Sequence, residues 1–396
     1  MGRQSPAALA VAVLAIVAAG VFGAYGTLGI GSYNGLFDSI TNAIGHDATN
    51  QSHFPHGPEP YLTSFTGIEA IDRTLMGTIA FFTFIIDGPQ TWNVTLSYWY
   101  LMAQYSAGMT LMNLEGWRRS NYWRVVSWTG IVGVIVQTCT YAVTIPLYLI
   151  IHLFTSPVAS SRSLVIFDGL AVDQLDQVLI LISHFLAFFV PAIMMSLPSP
   201  SIVSPTNHYA WDALWQVFPL VQGALHTTLR TIVSFISSSP SKAHAKDSRP
   251  PPPAAIYKYA IGLCVASQTA LLAVILTPGS SVPDSLSGVF SEVGFSALVP
   301  WWPWNTPILA TTAESNVGVG LAELTRLFFQ WDMYSAGVGI LVWSLYLFRV
   351  ACPSASLAVR VPKVLFWTAI GGPKAAAAII LWERDSQLSS QGLKRE

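Results

Sequence analysis

Apolar residues dominate this chain in runs of roughly twenty, the length that an α-helix needs to cross about 30 Å of hydrocarbon. The first run covers 6–25 and follows a single basic residue, Arg3. It is either a membrane helix or a cleaved signal sequence, and we favour the helix because no cleavage context is clear. Further spans are predicted at 70–87, 95–116, 124–152, 177–198, 257–277, 322–348 and 364–382. The pattern therefore predicts an all-α, polytopic transmembrane helix bundle of about eight spans (seven to nine).

One apolar segment, 208–237, is interrupted by polar side chains. We therefore expect an interfacial or partly buried amphipathic helix there rather than a lipid-exposed span. The stretch that follows it is basic and ends in prolines, which is typical of a flexible linker. Three parts are thus predicted: N-terminal membrane helices (1–236), a basic, proline-rich linker (237–255), and C-terminal membrane helices with a short polar tail (256–396).

Composition supports a membrane protein. Only 10% of the 396 residues are charged, against about a quarter in a soluble domain, and 52% are hydrophobic. The net charge of −1 gives no reason to expect nucleic acid as a partner. The cysteines, Cys139, Cys264 and Cys352, have no CxxC spacing, so neither a zinc site nor a disulfide framework is predicted. The partner that composition does predict is the lipid bilayer.

Basic residues form three groups, around Arg118, around Lys246 and around Arg360. With eight spans these groups share one face of the membrane, which the positive-inside rule makes cytosolic. The N-terminus is then expected on the opposite, lumenal or external face. The glycosylation sequence Asn50-Gln51-Ser52 is expected in the cytosol.

Three acids lie within or at the ends of predicted spans, where a charge costs at least about 2–3 kcal/mol. Glu115 comes shortly before two arginines, so an ion pair at a helix end is as good an explanation as catalysis. Asp87 precedes Gly-Pro and is either a turn former or a functional acid. No turn or helix end in the sequence explains Asp332, which makes it the strongest catalytic candidate of the three.

Four further polar side chains interrupt the spans and are candidate substrate contacts, although hydrogen bonds between helices are an alternative role for them. They are Gln104, Gln137, His184 and Gln330. Counting the helical rise places Asp87, Asp332 and most of these side chains in the lumenal half of the membrane. Glu115 lies about 30 Å from Asp87 by the same count, so all three acids are not expected in one pocket.

The sequence lacks the motifs of several enzyme classes. The sequence contains no metal-binding DDxxD, P-loop, GxSxG, HExxH or histidine box, which disfavours hydrolases, ATPases and desaturases. The chemistry that remains is acid–base catalysis on a lipophilic substrate that enters from the bilayer. A transporter or accessory membrane protein with acids for proton or solute binding is the alternative. A sterol or prenyl-chain isomerase is a third. Transporters commonly show repeats and helices broken near the midplane, and neither is evident in this sequence.

Three segments together resemble a known family. They are DGPQTWNVTLSYWYLMAQ (87–104), NLEGWRRSN with the later Gln137 (113–137) and LFFQWDMYSAG (327–337). This combination resembles the fungal membrane-bound terpene cyclases of the ascochlorin and ascofuranone meroterpenoid pathways, over about residues 70–350.

The resemblance implies a terpene cyclase that needs neither metal nor cofactor. A buried carboxylic acid would protonate an epoxide or alkene of a prenylated small molecule, and ring closure would quench the cation. On this basis Asp332 is the expected acid, Asp87 its partner and Glu115 the alternative donor or acceptor. The expected location is the endoplasmic reticulum membrane.

Overall fold

The computed structural model describes residues 6–45, 54–88, 91–159, 169–236, 252–305, 309 and 314–393. All regular secondary structure in these ranges is helical, so the predicted all-α class is confirmed. Five helices are long and apolar enough to cross a membrane: Pro6–Tyr33, Gln174–Met195, Ala254–Leu276, Gly320–Ala351 and Ala358–Ser390. Several long apolar helices fit an integral membrane protein, but five such helices do not confirm about eight spans.

Fifteen α-helices of the described ranges are numbered here in chain order. They are α1 Pro6–Ala24, α2 Ile30–Tyr33, α3 Leu36–Ile44, α4 Glu69–Ile86, α5 Trp92–Gly116, α6 Thr129–Cys139, α7 Tyr141–Thr155, α8 Gln174–His184, α9 Val190–Met195, α10 Pro205–Gln216, α11 Phe218–Ile236, α12 Ala254–Leu276, α13 Asp284–Glu292, α14 Glu314–Ala351 and α15 Val361–Leu393. A short π-helix, Tyr25–Gly29, joins α1 to α2, and another, Phe185–Phe189, joins α8 to α9.

Helix α5 is the centre of the bundle. Its first turn is capped by Thr91, whose hydroxyl accepts a hydrogen bond from the Val94 amide at 3.3 Å. Every residue from Tyr100 to Gly116 is buried. A helix that is buried on all sides is typical of the core of a large bundle, so the other elements arrange their polar side chains around α5.

The predicted span 124–152 is not one helix. The chain turns back at Thr140, which has a positive φ of 72° and separates α6 from α7. The hydroxyl of Tyr148 on α7 donates to the carbonyl oxygen of Val126, which lies before α6, at 2.9 Å. The two helices therefore form an antiparallel hairpin, the first hairpin, whose two ends lie at the same end of the bundle.

Helix α15 is also a hairpin, although the sequence predicted one span over 364–382. Its backbone leaves the helical region at Gly372, where φ is 75°. Beyond that point Glu383 forms ion pairs with Arg360 at 3.0 Å and with Lys363 at 3.1 Å. A continuous helix would separate these residues by about 30 Å or more. The two arms of this second hairpin therefore run antiparallel.

The turn of the second hairpin requires glycine. A Cβ atom at Gly372 would lie 3.1 Å from the Oε1 atoms of both Gln104 and Gln268, and its positive φ disfavours other residues. Pro373 then begins the returning arm, where its fixed φ suits the first turn of a helix.

Helices α10 and α11 together extend along the whole of α5. At one end His208 contacts Asp87, just before α5 begins, at 3.0 Å. At the other end Arg230 contacts Asp173 at 3.0 Å, and Asp173 also approaches Arg119, just after α5 ends. The expected partly buried, amphipathic helix is therefore present, but it traverses the bundle instead of lying across its end.

Helix α1 runs antiparallel to α14. Gly26 packs against Trp331, and Gly23 packs one turn further along, against Ser335. The first residues of α1 therefore lie at the end of the bundle where α14 finishes near Arg349, a basic residue. The expectation that the N-terminus faces away from the basic groups is wrong for this structure. The sequence at Asn50 lies outside the described residues, as do most of the predicted linker residues.

A loop before α4 closes the opposite end of the bundle. Asp72 accepts hydrogen bonds from the Ser64 hydroxyl at 3.0 Å and from the amides of Thr66 and Gly67 at 2.7 and 3.1 Å. Four such bonds to one carboxylate, counting the Thr66 hydroxyl, fix the loop firmly.

Candidate active site

Asp332 caps a helix that belongs to another part of the chain. Its Oδ1 atom accepts a hydrogen bond from the Ala142 amide at 2.7 Å, and the Tyr141 amide also interacts with the carboxylate. These amides open α7, at the turn of the first hairpin. The start of a helix has unpaired N–H groups and a partial positive charge, both of which favour a carboxylate. The expectation that no helix end explains Asp332 is therefore wrong.

The turns of the two hairpins meet beside this carboxylate. The Nζ atom of Lys374, two residues after the second turn, lies 4.6 Å from the ring centroid of Tyr141. Lys374 is only 1% exposed and interacts electrostatically with Asp332. We call Asp332, Lys374 and Tyr141 the hairpin site. Sequence reasoning missed Lys374, although a lysine within an apolar run was a sufficient signal.

Gln104 lies against the turn of the second hairpin, where its role is structural. Its Nε2 atom donates to the Gly371 carbonyl at 3.1 Å. The amide of Gln268 donates to the Thr368 and Ala369 carbonyls at 3.2 and 2.7 Å. The two glutamines therefore cap the carbonyl groups at the end of the first arm of α15.

A narrow cleft opens next to the hairpin site. It has a cavity volume of about 10 Å³ and is lined by Tyr100, Leu101, Gln104, Met333, Tyr334 and Pro373. The hydroxyl oxygens of Tyr100 and Tyr334 are 2.9 Å apart. Ligand pockets usually measure about 300–1,000 Å³, so a terpenoid would have to widen this cleft.

The remaining amides and the histidine are placed separately. Gln330 donates to the carbonyls of Ser296 and Ala297 at 2.8 and 3.0 Å and thereby fixes a loop to α14. His184 contacts Ser106 at 2.8 Å and Gln222 at 3.0 Å, so both ring nitrogens are occupied.

Gln137 lies on α6, three residues before the turn at Thr140. Its buried Nε2 atom has no hydrogen-bond partner among the described residues. Of the four predicted substrate contacts, it alone keeps a buried side-chain polar atom without such a partner. The structure places Asp332 and Gln137 at the turn of the first hairpin and Gln104 at the turn of the second, and it records no contact between any two of these three.

Glu115 belongs to a charge network at the far end of α5. Its Oε1 atom contacts Arg118 at 2.9 Å and Arg384 at 2.7 Å. Asp385 contacts the same arginines at 2.6 and 2.8 Å, and Tyr257 donates to Asp385 at 2.8 Å. We call these five residues the charge network.

The charge network balances two guanidinium groups with two carboxylates, and all four side chains are buried. Removing one member would leave an uncompensated charge, which is strongly destabilising. The ion-pairing explanation of Glu115 is therefore the one that the contacts favour. Asp87 precedes α5 and Glu115 almost ends it, so the two acids lie at opposite ends of a 25-residue helix.

Asp87 lies just before the start of α5, at the end of the bundle opposite Glu115. Its partners there were not predicted from the sequence. The Nε2 atom of His208 approaches its Oδ2 atom at 3.0 Å, and the Asp87 side chain remains 14% exposed. One turn after His208, Asp212 is 1% exposed, and its Oδ1 atom accepts from the neutral amide of Gln216 at 2.8 Å. Asp87 also acts electrostatically on Asp212. We call Asp87, His208 and Asp212 the acid-pair site.

The spacing of α10 explains this arrangement. His208, Asp212 and Gln216 are four residues apart and therefore share one face of the helix. All three are buried. This spacing was a usable signal, but the segment was interpreted only as an amphipathic helix.

Aromatic side chains lie directly beyond the acid-pair site. Trp215, one turn after Asp212, contacts Phe82 with ring centroids 4.7 Å apart. It also faces Tyr105 at 6.1 Å and Phe188 at 5.6 Å. Among the described residues, the Tyr105 hydroxyl and the Trp215 Nε1 atom are buried without hydrogen-bond partners. We call these four rings the aromatic cluster.

This arrangement offers acid–base groups beside rings whose faces attract cations. Across the ranges that the structure describes, no three His, Cys, Asp or Glu side chains are grouped so that they could hold a metal ion.

The CtvD-domain family matches residues 10–389, and the chain belongs to this family. The terpene cyclase ascI of Acremonium egyptiacum is 27% identical over 375 residues, covering 92% of this chain and 89% of its own. The terpene cyclase atmA of Aspergillus flavus is 24% identical, covering 89% and 90%. The terpene cyclase ctvD of Aspergillus terreus is 22% identical, covering 92% and 95%. The resemblance to fungal terpene cyclases is thus confirmed. No solved structure matches the chain.

Proposed function

We propose that this protein is a membrane-bound terpene cyclase that closes rings on a prenylated epoxide or alkene after protonation by a buried carboxylic acid. Three relatives that cover most of the chain are named terpene cyclases, which supports the class of enzyme. The single observation that carries the mechanism is the position of Asp212, a buried acid bonded to a neutral amide beside Asp87 and His208.

Asp212 is the proton donor in this proposal. Burial disfavours the charged form of a carboxyl group, and the negative charge of Asp87 acts in the same sense, so the acid-pair site keeps one proton in this proposal. We place the proton on Asp212, because it is the more deeply buried of the two carboxyl groups and accepts from a neutral amide, whereas Asp87 is 14% exposed and contacts His208. A neutral carboxylic acid in this position donates a proton, whereas an ion-paired carboxylate does not.

The reaction then proceeds in three steps. Asp212 gives its proton to the epoxide oxygen, the carbon–oxygen bond breaks, and an alkene π bond attacks the electron-poor carbon. The aromatic cluster stabilises the ring-closed cation. Loss of a proton to the charged Asp87 ends the sequence, either directly from the carbocation or from a substrate hydroxyl that has captured it. The rings of the cluster contact one another, so the substrate has to displace them on entry.

This assignment changes the role of two predicted acids. Asp332 caps α7 and Glu115 is bound by two arginines, so both have structural roles in this proposal. Asp87 keeps its predicted role as partner. We also propose the endoplasmic reticulum membrane as the location, since the lipophilic substrate would then reach the site from the bilayer.

The test is to incubate microsomes containing the protein with a panel of prenylated phenol and indole epoxides. Cyclised product is expected with the wild type and with Asp284→Asn, an exposed control acid at the same end of the bundle. Asp212→Asn is expected to give little or none. If no substrate in the panel is consumed, the cyclase proposal fails for these substrate classes.

Transport is a second candidate that one observation favours. Gly372 and Pro373 break α15, and the turn at Thr140 separates α6 from α7, whereas no broken helix was evident in the sequence. Half-helices that meet inside the bundle are a transporter feature. Vesicles containing the protein would then show solute flux without product formation, and the same preparations test both functions.

A further inference from the structure

We propose that Lys374 and Asp332 together bind a hydroxyl group of a lipophilic ligand at the meeting point of the two hairpins. This inference rests on the proposed function for the identity of the ligand, which would be a hydroxylated, preferably phenolic, substrate. No predicted or proposed catalytic step uses Lys374.

The ammonium group of Lys374 is short of acceptors. Among the described residues its Nζ atom contacts only the sulfur of Met333, at 3.5 Å, and the ring of Tyr141, at 4.6 Å. A thioether is a weak acceptor, and an ammonium has three N–H donors. Lys374 is 1% exposed, and an unsatisfied buried charge is costly, so this group is suited to an oxygen ligand.

Asp332 supplies the complementary half of the site. It interacts electrostatically with Lys374, but no Lys374–Asp332 ion pair within 4.0 Å is present. Its carboxylate has two oxygens, and the Ala142 amide binds Oδ1. An oxygen placed between the two charges would accept from Lys374 and donate to Asp332. A hydroxyl does both, whereas an ether only accepts.

Two glycines make room for the lysine. A Cβ atom at Gly108 on α5 would lie 3.3 Å from the Cδ and Cε atoms of Lys374. One at Gly337 on α14 would lie 3.6 Å from Cε and 2.8 Å from Pro373. The lysine stem therefore lies in a groove between two helices that larger side chains would fill.

The cleft that Tyr100, Leu101 and Met333 line provides the approach, and with a cavity volume of about 10 Å³ it has to widen for a ligand. Met333 lines the cleft and also contacts the lysine Nζ atom, so it separates the two. Methionine has three rotatable bonds and adapts easily to a ligand. A rotation of Met333 would join the cleft to Lys374 and free the lysine for the ligand hydroxyl.

Binding of 3-pentadecylphenol and of its methyl ether to the purified full-length protein tests the inference. These probes have nearly the same shape and contain no epoxide or alkene, so they report binding without cyclisation. We expect the wild type to bind the phenol about tenfold more tightly. Lys374→Met should abolish the preference, and Lys363→Met, a partly exposed lysine on the same helix, should retain it.

Equal affinity of the wild-type protein for the two probes overturns the inference, whether or not Lys374→Met folds. An unchanged phenol preference in folded Lys374→Met overturns it as well. A preference that depends on Lys374 in a protein without cyclase activity supports this site and refutes the proposed function. Cyclisation without such a preference supports the proposed function and refutes this binding site.

Discussion

The carboxylate of Asp332 accepts a hydrogen bond at 2.7 Å from the backbone amide of Ala142, which lies 190 positions earlier in the chain. This contact joins α14 to the turn of the first hairpin. In a membrane the start of α7 has no water to satisfy its amides, so the protein must do so. The position of Asp332 within a predicted span is therefore explained by the neighbouring chain, which breaks at Thr140 and leaves the amides of α7 in need of an acceptor.

Removal of this cap should destabilise the protein. We expect Asp332→Ala to lower the free energy of unfolding by about 1–3 kcal/mol, because buried amides lose their acceptor. Asp332→Asn keeps an acceptor oxygen and should lose less. Thermal unfolding in detergent measures both. Equal stability of Asp332→Ala and the wild type would refute the capping role.

The turn of the second hairpin should tolerate only glycine. Gly372→Ala is expected to cost roughly 1–2 kcal/mol for the left-handed backbone, and close contacts with Gln104 and Gln268 would add to it. Gly262→Ala on α12 is the control, because a Cβ atom there has no neighbour within 4 Å. Equal unfolding temperatures of the two variants would contradict the requirement for glycine at position 372.

The antiparallel course of α15 can be tested by cross-linking. In a protein whose native cysteines are replaced, Lys363→Cys and Glu383→Cys should be joined by a short bis-maleimide cross-linker, since the ends of the native side chains lie 3.1 Å apart. In one continuous helix these positions would be about 30 Å apart and could not be joined. Mobility on a gel, followed by protease cleavage between the positions, reports the outcome.

Glu115 should affect stability more than chemistry. Glu115→Gln leaves Arg118 and Arg384 with one carboxylate, Asp385, and is expected to cost about 3–5 kcal/mol. The cyclisation rate per folded molecule should change little. A double-mutant cycle with Arg384→Met should show coupling, because the second change removes the unpaired charge. A stable but inactive Glu115→Gln protein would restore Glu115 as a catalytic candidate.

Sequence patterns predicted the helices well and their directions less well. A run of apolar residues has the same composition whether it forms one span or two half-length arms, so neither hairpin was predictable from length alone. The Gly371-Gly372-Pro373 triplet was a usable signal for a turn, whereas Thr140 gave none, because few non-glycine residues adopt a positive φ.

The residues of the candidate site were likewise only partly predictable from the sequence. Asp87 was identified because it ends an apolar run at Asp-Gly. Asp212 and His208 were not proposed, since their importance depends on Asp87, which is more than a hundred positions away. Lys374 lies inside the predicted span 364–382 and could have been found by applying to it the rule that selected Asp332, whereas Asp385 lies beyond that span. The sequence could not show which acid is free to react. Only tertiary contacts show that arginines bind Glu115 and that the start of a helix binds Asp332.

In the proposed reaction Asp212, and not Asp332, gives the initiating proton. The most direct measurement is the initial cyclisation rate of Asp212→Asn and Asp332→Asn on one accepted epoxide, each normalised to the amount of folded protein. We predict that Asp212→Asn is about 10²- to 10⁴-fold slower than the wild type, the usual contribution of a general acid. Asp332→Asn should remain much closer to the wild type. Near wild-type activity in Asp212→Asn, together with loss of activity in folded Asp332→Asn, would contradict the account.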